Sequence, residues 1–249
     1  MKLTAPETLA LHLPAFKRVA LTLIGCGGTG SHLASSLATL QAALRQRGAG
    51  CDLAFIDPDV VEPKNVGRQL FGLADVGKPK ALVLADRLAS SLGAAVAASQ
   101  RAFGPQDVDA LVSASHDPET LSVLIDAMDD NPPARAAISD AVRRAGGRLW
   151  WLGCGNENYS GQTVLGNVVD PEQLRGCAAL GLTSRLPAPP MLYPDLLRPA
   201  PAAARHSRTR PIGRPGRQQA ASCAVALESG AQGLMVNRMA ASWAAALLH

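Results

Sequence analysis

The sequence predicts an α/β protein with a mostly parallel sheet, helices on both faces and antiparallel strands in its second half. The apolar run 19–24 breaks into a glycine-rich turn at 25–30, and leucines with helical spacing follow it. A second apolar run at 53–57 completes a strand–helix–strand unit, whose crossover we expect to be right-handed. Two later apolar runs, 148–153 and 162–166, are too close together for a connecting helix, which favours antiparallel pairing. These observations indicate a Rossmann-like fold.

The remaining segments complete this fold in chain order. We expect a short helix at 6–13, a helix from residue 31 that Gly48 ends, and a helix opened by Pro79, because proline suits the first helical turn. Residues 94–103 are a weak strand candidate, and residues 109–114 are a stronger one. Helices are expected at 119–128 and 134–145, and an alanine-rich helix or helix pair at 222–248.

Length and charge favour one domain with an unusual late segment. The 249 residues, 47% hydrophobic and 18% charged, fit a single α/β domain over 1–249. Within it, 171–219 is expected to be a long proline- and arginine-rich loop. Residues 198–217 hold six arginines and no acid, so they carry +6 of a net charge of +4 and leave −2 for the rest. Nucleic acid binding is therefore expected at most through this loop, and a solvated linker is the plainer interpretation.

The apolar segments and the cysteines indicate the compartment. No apolar run approaches the roughly 20 residues of a membrane span, and the first seven residues show no apolar signal-peptide core before Pro6. Five scattered cysteines without C-x-x-C spacing signal neither a zinc site nor a disulfide framework. We therefore expect a cytoplasmic protein that does not enter a membrane.

The glycine turn predicts a nucleotide site. Gly25, Gly27 and Gly30 follow a strand and precede a helix, where backbone amides and the helix dipole attract phosphate groups. Asp57, at the end of the second strand, suits hydrogen bonds from ribose hydroxyls. The turn alone is compatible with NAD, FAD and ATP. A packing role for the glycines and a capping role for Asp57 also remain open.

The residues that follow Asp57 narrow this choice. The run DPDVVEPKNVGRQ at 57–69 is followed by VGKPK at 76–80. Together with the glycines at 25, 27, 28 and 30, these pieces resemble the ThiF/MoeB family of adenylating domains, which are related to ubiquitin-activating enzymes. The match keeps its order over residues 19–117. The later segments 155–156, 161–166 and 222–223 are similar to ThiF-like proteins of the PRTRC cassette, which belongs to plasmids and other mobile elements.

The resemblance implies ATP and Mg²⁺ as cofactors and gives the matching residues their roles. Asp57 would hold the ribose, while Asn65, Arg68 and Lys80 would act on the triphosphate as catalytic groups. Gln69 would support that cluster, and Asp117 would take the magnesium at the tip of the predicted strand 109–114. The family commonly follows this aspartate with an asparagine and later an arginine, whereas Pro118 follows Asp117 here. The full implied nucleotide set is Gly25, Gly27, Gly28, Gly30, Asp57, Asp59, Asn65, Arg68, Gln69 and Lys80.

The implied function is ATP-dependent adenylation of the C-terminal carboxylate of a ubiquitin-like or sulfur-carrier-like protein by a homodimer. One alternative is a non-catalytic nucleotide-binding assembly component of the mobile-element system. Another is an NAD(P)-dependent oxidoreductase, which gives no role to the cluster after Asp57. Some relatives pass the adenylated carboxyl to a cysteine, so Cys177 and Cys223 are candidate thiols, although free cysteine is usually a small buried hydrophobe.

Overall fold

The computed structural model describes residues 10–156, 161–174, 182–198 and 235–248. Eight strands lie within these residues: β1 Ala10–Leu11, β2 Arg18–Ile24, β3 Gly50–Ile56, β4 Val96–Ser99, β5 Thr120–Asp126, β6 Leu149–Asn156, β7 Gly161–Gly166 and β8 Leu182–Thr183. Six of them form one sheet in the order β4-β3-β2-β5-β6-β7. Neighbours from β4 to β6 are parallel, and β7 pairs with β6 in the antiparallel sense. The predicted sheet is thus confirmed.

Helices cover both faces of this sheet. Their bounds are α1 Gly28–Gln46, α2 Lys80–Leu92, α3 Val108–Ser115, α4 Pro132–Arg144, α5 Pro189–Leu192 and α6 Val236–Leu248. One apolar core joins α1, α2 and α6 to one face, and a second core joins α3 and α4 to the other. None of the helices in the described residues has the length and hydrophobicity that a bilayer span needs.

Two predicted elements around residue 117 are wrong in type. The predicted strand 109–114 is part of helix α3, and the predicted helix 119–128 contains strand β5. The residues at 108, 111, 112 and 115 turn inward at helical spacing, whereas Val123, Leu124 and Ile125 are buried in succession. A strand between two parallel neighbours is covered on both faces, so its apolar run shows no alternation and resembles a buried helix.

The first described residues also differ from the prediction. Residues 10–11, placed in a helix at 6–13, form strand β1, which pairs in parallel with β8. Residues 182–198, placed in the long loop, contain β8 and α5, and Ala188 is fully buried against the sheet. Of the predicted helix 222–248, the part that the structure describes is helical from Val236 to Leu248.

Candidate active site

A cleft of about 310 Å³ opens where the direction of strand order reverses. The chain runs from β2 outward to β3 and β4, then returns to place β5 on the other side of β2. The register aligns the ends of three strands, so Ile56, Ile24 and Asp126 stand side by side. Ligands of open α/β sheets bind at such a reversal, beyond the carboxyl ends of the strands.

The glycine turn lines the cleft through residues with different steric demands. Gly25 has φ +91°, and a Cβ there would meet the Ala127 carbonyl oxygen at 2.6 Å. A Cβ at Gly30 would come within 1.9 Å of the Gly25 carbonyl oxygen, so these two glycines allow backbone segments to touch. At Gly27 the nearest atom would be 3.9 Å away, which leaves the cleft side of the turn open for a ligand.

Asp57 closes the turn from the end of β3. Its Oδ2 accepts a hydrogen bond from the Cys26 amide, and its Oδ1 accepts one of 2.8 Å from the Asp59 amide. Burial raises the pKa of the Asp57 carboxyl, while these amide donors and nearby Lys80 oppose the rise. The carboxylate lines the cleft, in the place that a ribose-binding group needs.

The polar cluster after Asp57 contributes two buried groups without partners. Asn65 is buried, and its Oδ1 accepts a 2.8 Å hydrogen bond from the Glu62 amide, which fixes the turn. Within the described part of the chain, Nη1 of Arg68 and Oε1 of Gln69 are buried without a hydrogen-bond partner. Both residues line the cleft. Unpartnered buried polar atoms are costly. The Arg68 donor therefore fits an anionic ligand, whereas the Gln69 oxygen fits a hydrogen-bond donor.

Lys80 brings a second cation to the same cleft from the first residue of α2. Its side chain is 8% exposed, and its Nζ lies 2.8 Å from Oδ2 of Asp59, whose side chain is 63% exposed. The Lys80 amide also donates to the Asp59 carbonyl at 3.0 Å. This ion pair orients a buried ammonium group toward the ligand space while its partner stays in contact with solvent.

Two residues of α1 hold the polar cluster in place, and sequence reasoning assigned no role to either. The buried Ser31 hydroxyl donates to the Gly28 carbonyl at 3.2 Å and accepts from the Leu70 amide at 3.1 Å. Nε2 of His32 lies 3.4 Å from the Arg68 carbonyl oxygen, and burial lowers the pKa of this imidazole. The glycine turn and the Arg68 segment are therefore connected directly.

Asp117 does not belong to this cleft, so its assignment as a magnesium ligand is corrected. It lies just before the start of β5, whereas the cleft lies beyond the other end of the strands. Its carboxylate accepts hydrogen bonds from the Thr120 hydroxyl and the Glu119 amide, which lower its pKa. The error follows from the exchanged helix and strand, because Asp117 is not at the tip of a strand.

The residues that follow β5 occupy the position that Asp117 was given. A buried ion pair of 2.8 Å joins Asp126 to Arg135, and Arg135 also donates to the Met128 carbonyl. This pair fixes the loop whose residues Asp129, Asp130 and Asn131 line the cleft. Asp130 is followed by Asn131 and later by Arg135, which is the order of aspartate, asparagine and arginine that the family resemblance implies. This order is the sequence signal that could have located the loop.

The cysteines of the described residues do not form a reactive site. Burial raises the pKa of Cys26 well above its usual value, that of Cys51 to about 11 and that of Cys154 to about 12. Among the residues that the structure describes, no three potential metal-binding side chains converge. Cys177 and Cys223, and the arginine-rich loop apart from Arg198, lie outside the described residues.

Sequence comparison assigns the family. The family model described as ThiF family matches residues 10–241. The chain belongs to the ThiF family. None of the curated proteins matches the sequence.

Solved structures of other proteins are similar to this ThiF family chain. E. coli tRNA N6-threonylcarbamoyladenosine dehydratase, TcdA, solved with AMP, is 27% identical over 61% of this chain and 54% of its own, with a TM-score of 0.41. E. coli MccB solved with ATP is 18% identical over 91% of this chain and 53% of its own, with a TM-score of 0.52. The similarity to MccB shows a shared fold across nearly the whole of this chain. The chain spans about half the length of TcdA and of MccB.

Proposed function

We propose that this protein activates a carboxylate by ATP-dependent adenylation. The observation that carries the proposal is one cleft containing the α1 glycine turn, the buried Lys80 ammonium and the unpartnered Arg68 nitrogen. Phosphate groups need this combination of backbone amides and fixed cations. Hydride transfer gives no role to the cluster at Asn65, Arg68 and Gln69. The TcdA and MccB structures solved with AMP and ATP also support a nucleotide in this fold.

The chemistry requires charge stabilisation more than proton transfer. A carboxylate oxygen forms a bond to the α-phosphorus of ATP, the bond from that phosphorus to the bridging oxygen breaks, and pyrophosphate leaves. The nucleophile is already ionised, so no strong general base is needed. Arg68 can contact two oxygens at once and Lys80 supplies a point charge, and both stabilise the negative charge that develops on the phosphates. Asp57 holds the ribose and Asn65 shapes the turn beneath the phosphates.

We propose that Asp129 and Asp130 hold the magnesium ion, in place of Asp117. Both carboxylates are exposed to the cleft on the loop that Asp126 and Arg135 fix. Mg²⁺ prefers oxygen ligands and is commonly bound by one or two carboxylates together with phosphate oxygens and water, so this donor set fits it. When bound, the ion would neutralise charge on the phosphates.

For the substrate, we propose the C-terminal carboxylate of a ubiquitin-like or sulfur-carrier-like protein in a plasmid-associated PRTRC system, on the strength of the sequence resemblance. One crystal structure of E. coli MccB contains MccA together with AMPCPP. We also propose a homodimer, supported by the exposed side chains of Met239, Trp243 and Leu247 along α6 and of Met235 just before it. These four side chains recur every four residues, so they share one helix face. Sedimentation analysis measures the mass of the assembly and so tests the dimer directly.

Exchange of labelled pyrophosphate into ATP tests the proposed reaction. With Mg²⁺ and the cognate ubiquitin-like protein, we expect exchange, and Arg68→Ala or Lys80→Ala should reduce its rate by about 100-fold or more because each removes a charge contact to the phosphates. Lys78→Ala is the matched control, since Lys78 is exposed outside the cleft and should leave the rate close to wild type.

Other outcomes separate the alternatives. Normal exchange in both the Arg68 and Lys80 variants would refute the site. Calorimetric binding of ATP without exchange would favour a non-catalytic nucleotide-binding component. Tight binding of NADH without binding of ATP would favour an oxidoreductase.

A further inference from the structure

Three polar side chains meet beside the glycine turn without lining the cleft. Thr29 lies in the first turn of α1, Asn156 ends β6, and Asn237 is the second residue of α6. Asn237 is fully buried and Thr29 nearly so. Cleft residues Gly27 and Gly28 lie directly before Thr29 in the sequence. The cluster therefore joins three elements at the first turn of α1, directly after the glycine residues that line the cleft.

Hydrogen bonds connect the members of this cluster. Nδ2 of Asn156 donates to Oγ1 of Thr29 at 2.8 Å and to Oδ1 of Asn237 at 2.5 Å. The Thr29 hydroxyl lies 3.5 Å from Oδ1 of Asn237. The first turn of α1 is thus held through the Thr29 side chain, on a different side from the cleft.

Asn237 also contacts the backbone of the turn. A Cβ placed on Gly28 would lie 2.6, 2.7 and 2.8 Å from the three outer atoms of the Asn237 carboxamide. Gly28 does not have a positive φ. Steric contact with α6 therefore explains the glycine at this position, and the carboxamide limits how far the Gly28 backbone can move.

The buried Nδ2 donor of Asn237 also indicates that an asparagine stands here for its contacts with the glycine turn. This Nδ2 is buried and has no hydrogen-bond partner among the residues that the structure describes, which is unfavourable. An apolar residue of similar size would avoid this cost, so burial alone does not explain an asparagine here. Contact with Gly28 and the hydrogen bond that Oδ1 accepts do explain it.

We propose that Asn237 is a positioning residue for the nucleotide site and acts through Gly28 and Thr29. Its carboxamide and the Asn156 hydrogen bonds hold the first α1 amides at the spacing that a phosphate requires. Helix α6 therefore belongs functionally to the site, although none of its residues lines the described cleft. The role in nucleotide binding rests on the proposed function, whereas the restraint on the glycine turn does not.

Matched variants separate positioning from stability. Asn237→Ala removes the contact, and Thr29→Val removes the hydroxyl at nearly constant volume, while Thr29→Ser keeps it. Ala244→Gly is the stability control, because Ala244 is buried on α6 seven residues from Asn237 and its loss weakens the helix without touching the turn. The melting temperature of each variant shows how far stability has changed.

Two readouts test the proposal with Mg²⁺-ATP as the probe. We expect Asn237→Ala and Thr29→Val to raise the Kd for ATP about tenfold, roughly the effect of one lost hydrogen bond, while Thr29→Ser and Ala244→Gly stay near wild type. Hydrogen exchange of the amides at 27–30 should quicken in the first two variants only. Unchanged hydrogen exchange of these amides in Asn237→Ala and Thr29→Val would overturn the proposal. If the wild type binds no ATP while the amides at 27–30 still exchange hydrogen faster in Asn237→Ala and Thr29→Val than in the controls, the proposed function fails. In that case the restraint on the glycine turn stands.

Discussion

Single residues of the cleft are held by opposing forces. Asp57 is buried, which raises its pKa, yet two backbone amides donate to its carboxylate and favour the charged form. Lys80 is almost fully buried but keeps its ion pair with exposed Asp59. Arg68 has one buried nitrogen to which no group of the described residues is hydrogen-bonded. These side chains are arranged before a ligand arrives, which reduces the reorganisation that phosphate binding needs.

Thiol reactivity gives a prediction at this scale. Cys26, Cys51 and Cys154 are buried, and the pKa values of about 11 for Cys51 and about 12 for Cys154 leave roughly one thiolate per thousand or fewer at pH 8. We expect iodoacetamide to leave all three unmodified in the folded protein and to modify them after denaturation. Mass spectrometry of tryptic peptides measures this, and rapid labelling of Cys26 or Cys154 in the native state would contradict the burial described here.

Among the elements, β5 and the loop after it show where sequence patterns become ambiguous. The octapeptide of α3 and the heptapeptide of β5 are both short and apolar, so neither length nor composition separates a strand from a helix. What decides between them is the pairing of β5 with β2 and β6 over its length, a long-range property. The exchanged assignments placed the expected metal-binding aspartate at Asp117, whereas Asp129 and Asp130, the ligands proposed above, lie at the opposite end of β5.

The buried pair between Asp126 and Arg135 supports a prediction for the same loop. Arg135→Ala leaves the Asp126 carboxylate buried without its partner, so we expect the free energy of unfolding to fall by about 3–5 kcal/mol. Arg144→Ala breaks ion pairs that are exposed and screened by solvent, so it should lower the free energy of unfolding far less. Urea denaturation followed by circular dichroism measures both variants. Equal losses would show that the Asp126 pair does not hold the loop.

For the whole molecule, the sequence was informative where a motif is local. Periodicity and the properties of glycine predict β2, the glycine turn, α1 and β3 in this order. The family resemblance supplied the polar residues from Asp57 to Lys80, which line one cleft in the structure. The contacts of Ser31 and Asn237 were not predictable, because they join segments that only the folded chain brings together. Asp130, Asn131 and Arg135 were predictable from their order, but the strand predicted at 109–114 placed the aspartate of this pattern at Asp117.

The central claim is that a substrate carboxylate attacks the α-phosphate of ATP. It is tested most directly by labelling the C-terminal carboxylate of the cognate ubiquitin-like protein with ¹⁸O and intercepting the product with hydroxylamine. If the carboxylate oxygen bonds to phosphorus, attack on the acyl carbon releases AMP that carries one ¹⁸O atom, which mass spectrometry detects. We predict one labelled oxygen per AMP, with pyrophosphate as the other product. Unlabelled AMP, or ADP and labelled phosphate in its place, would contradict adenylation.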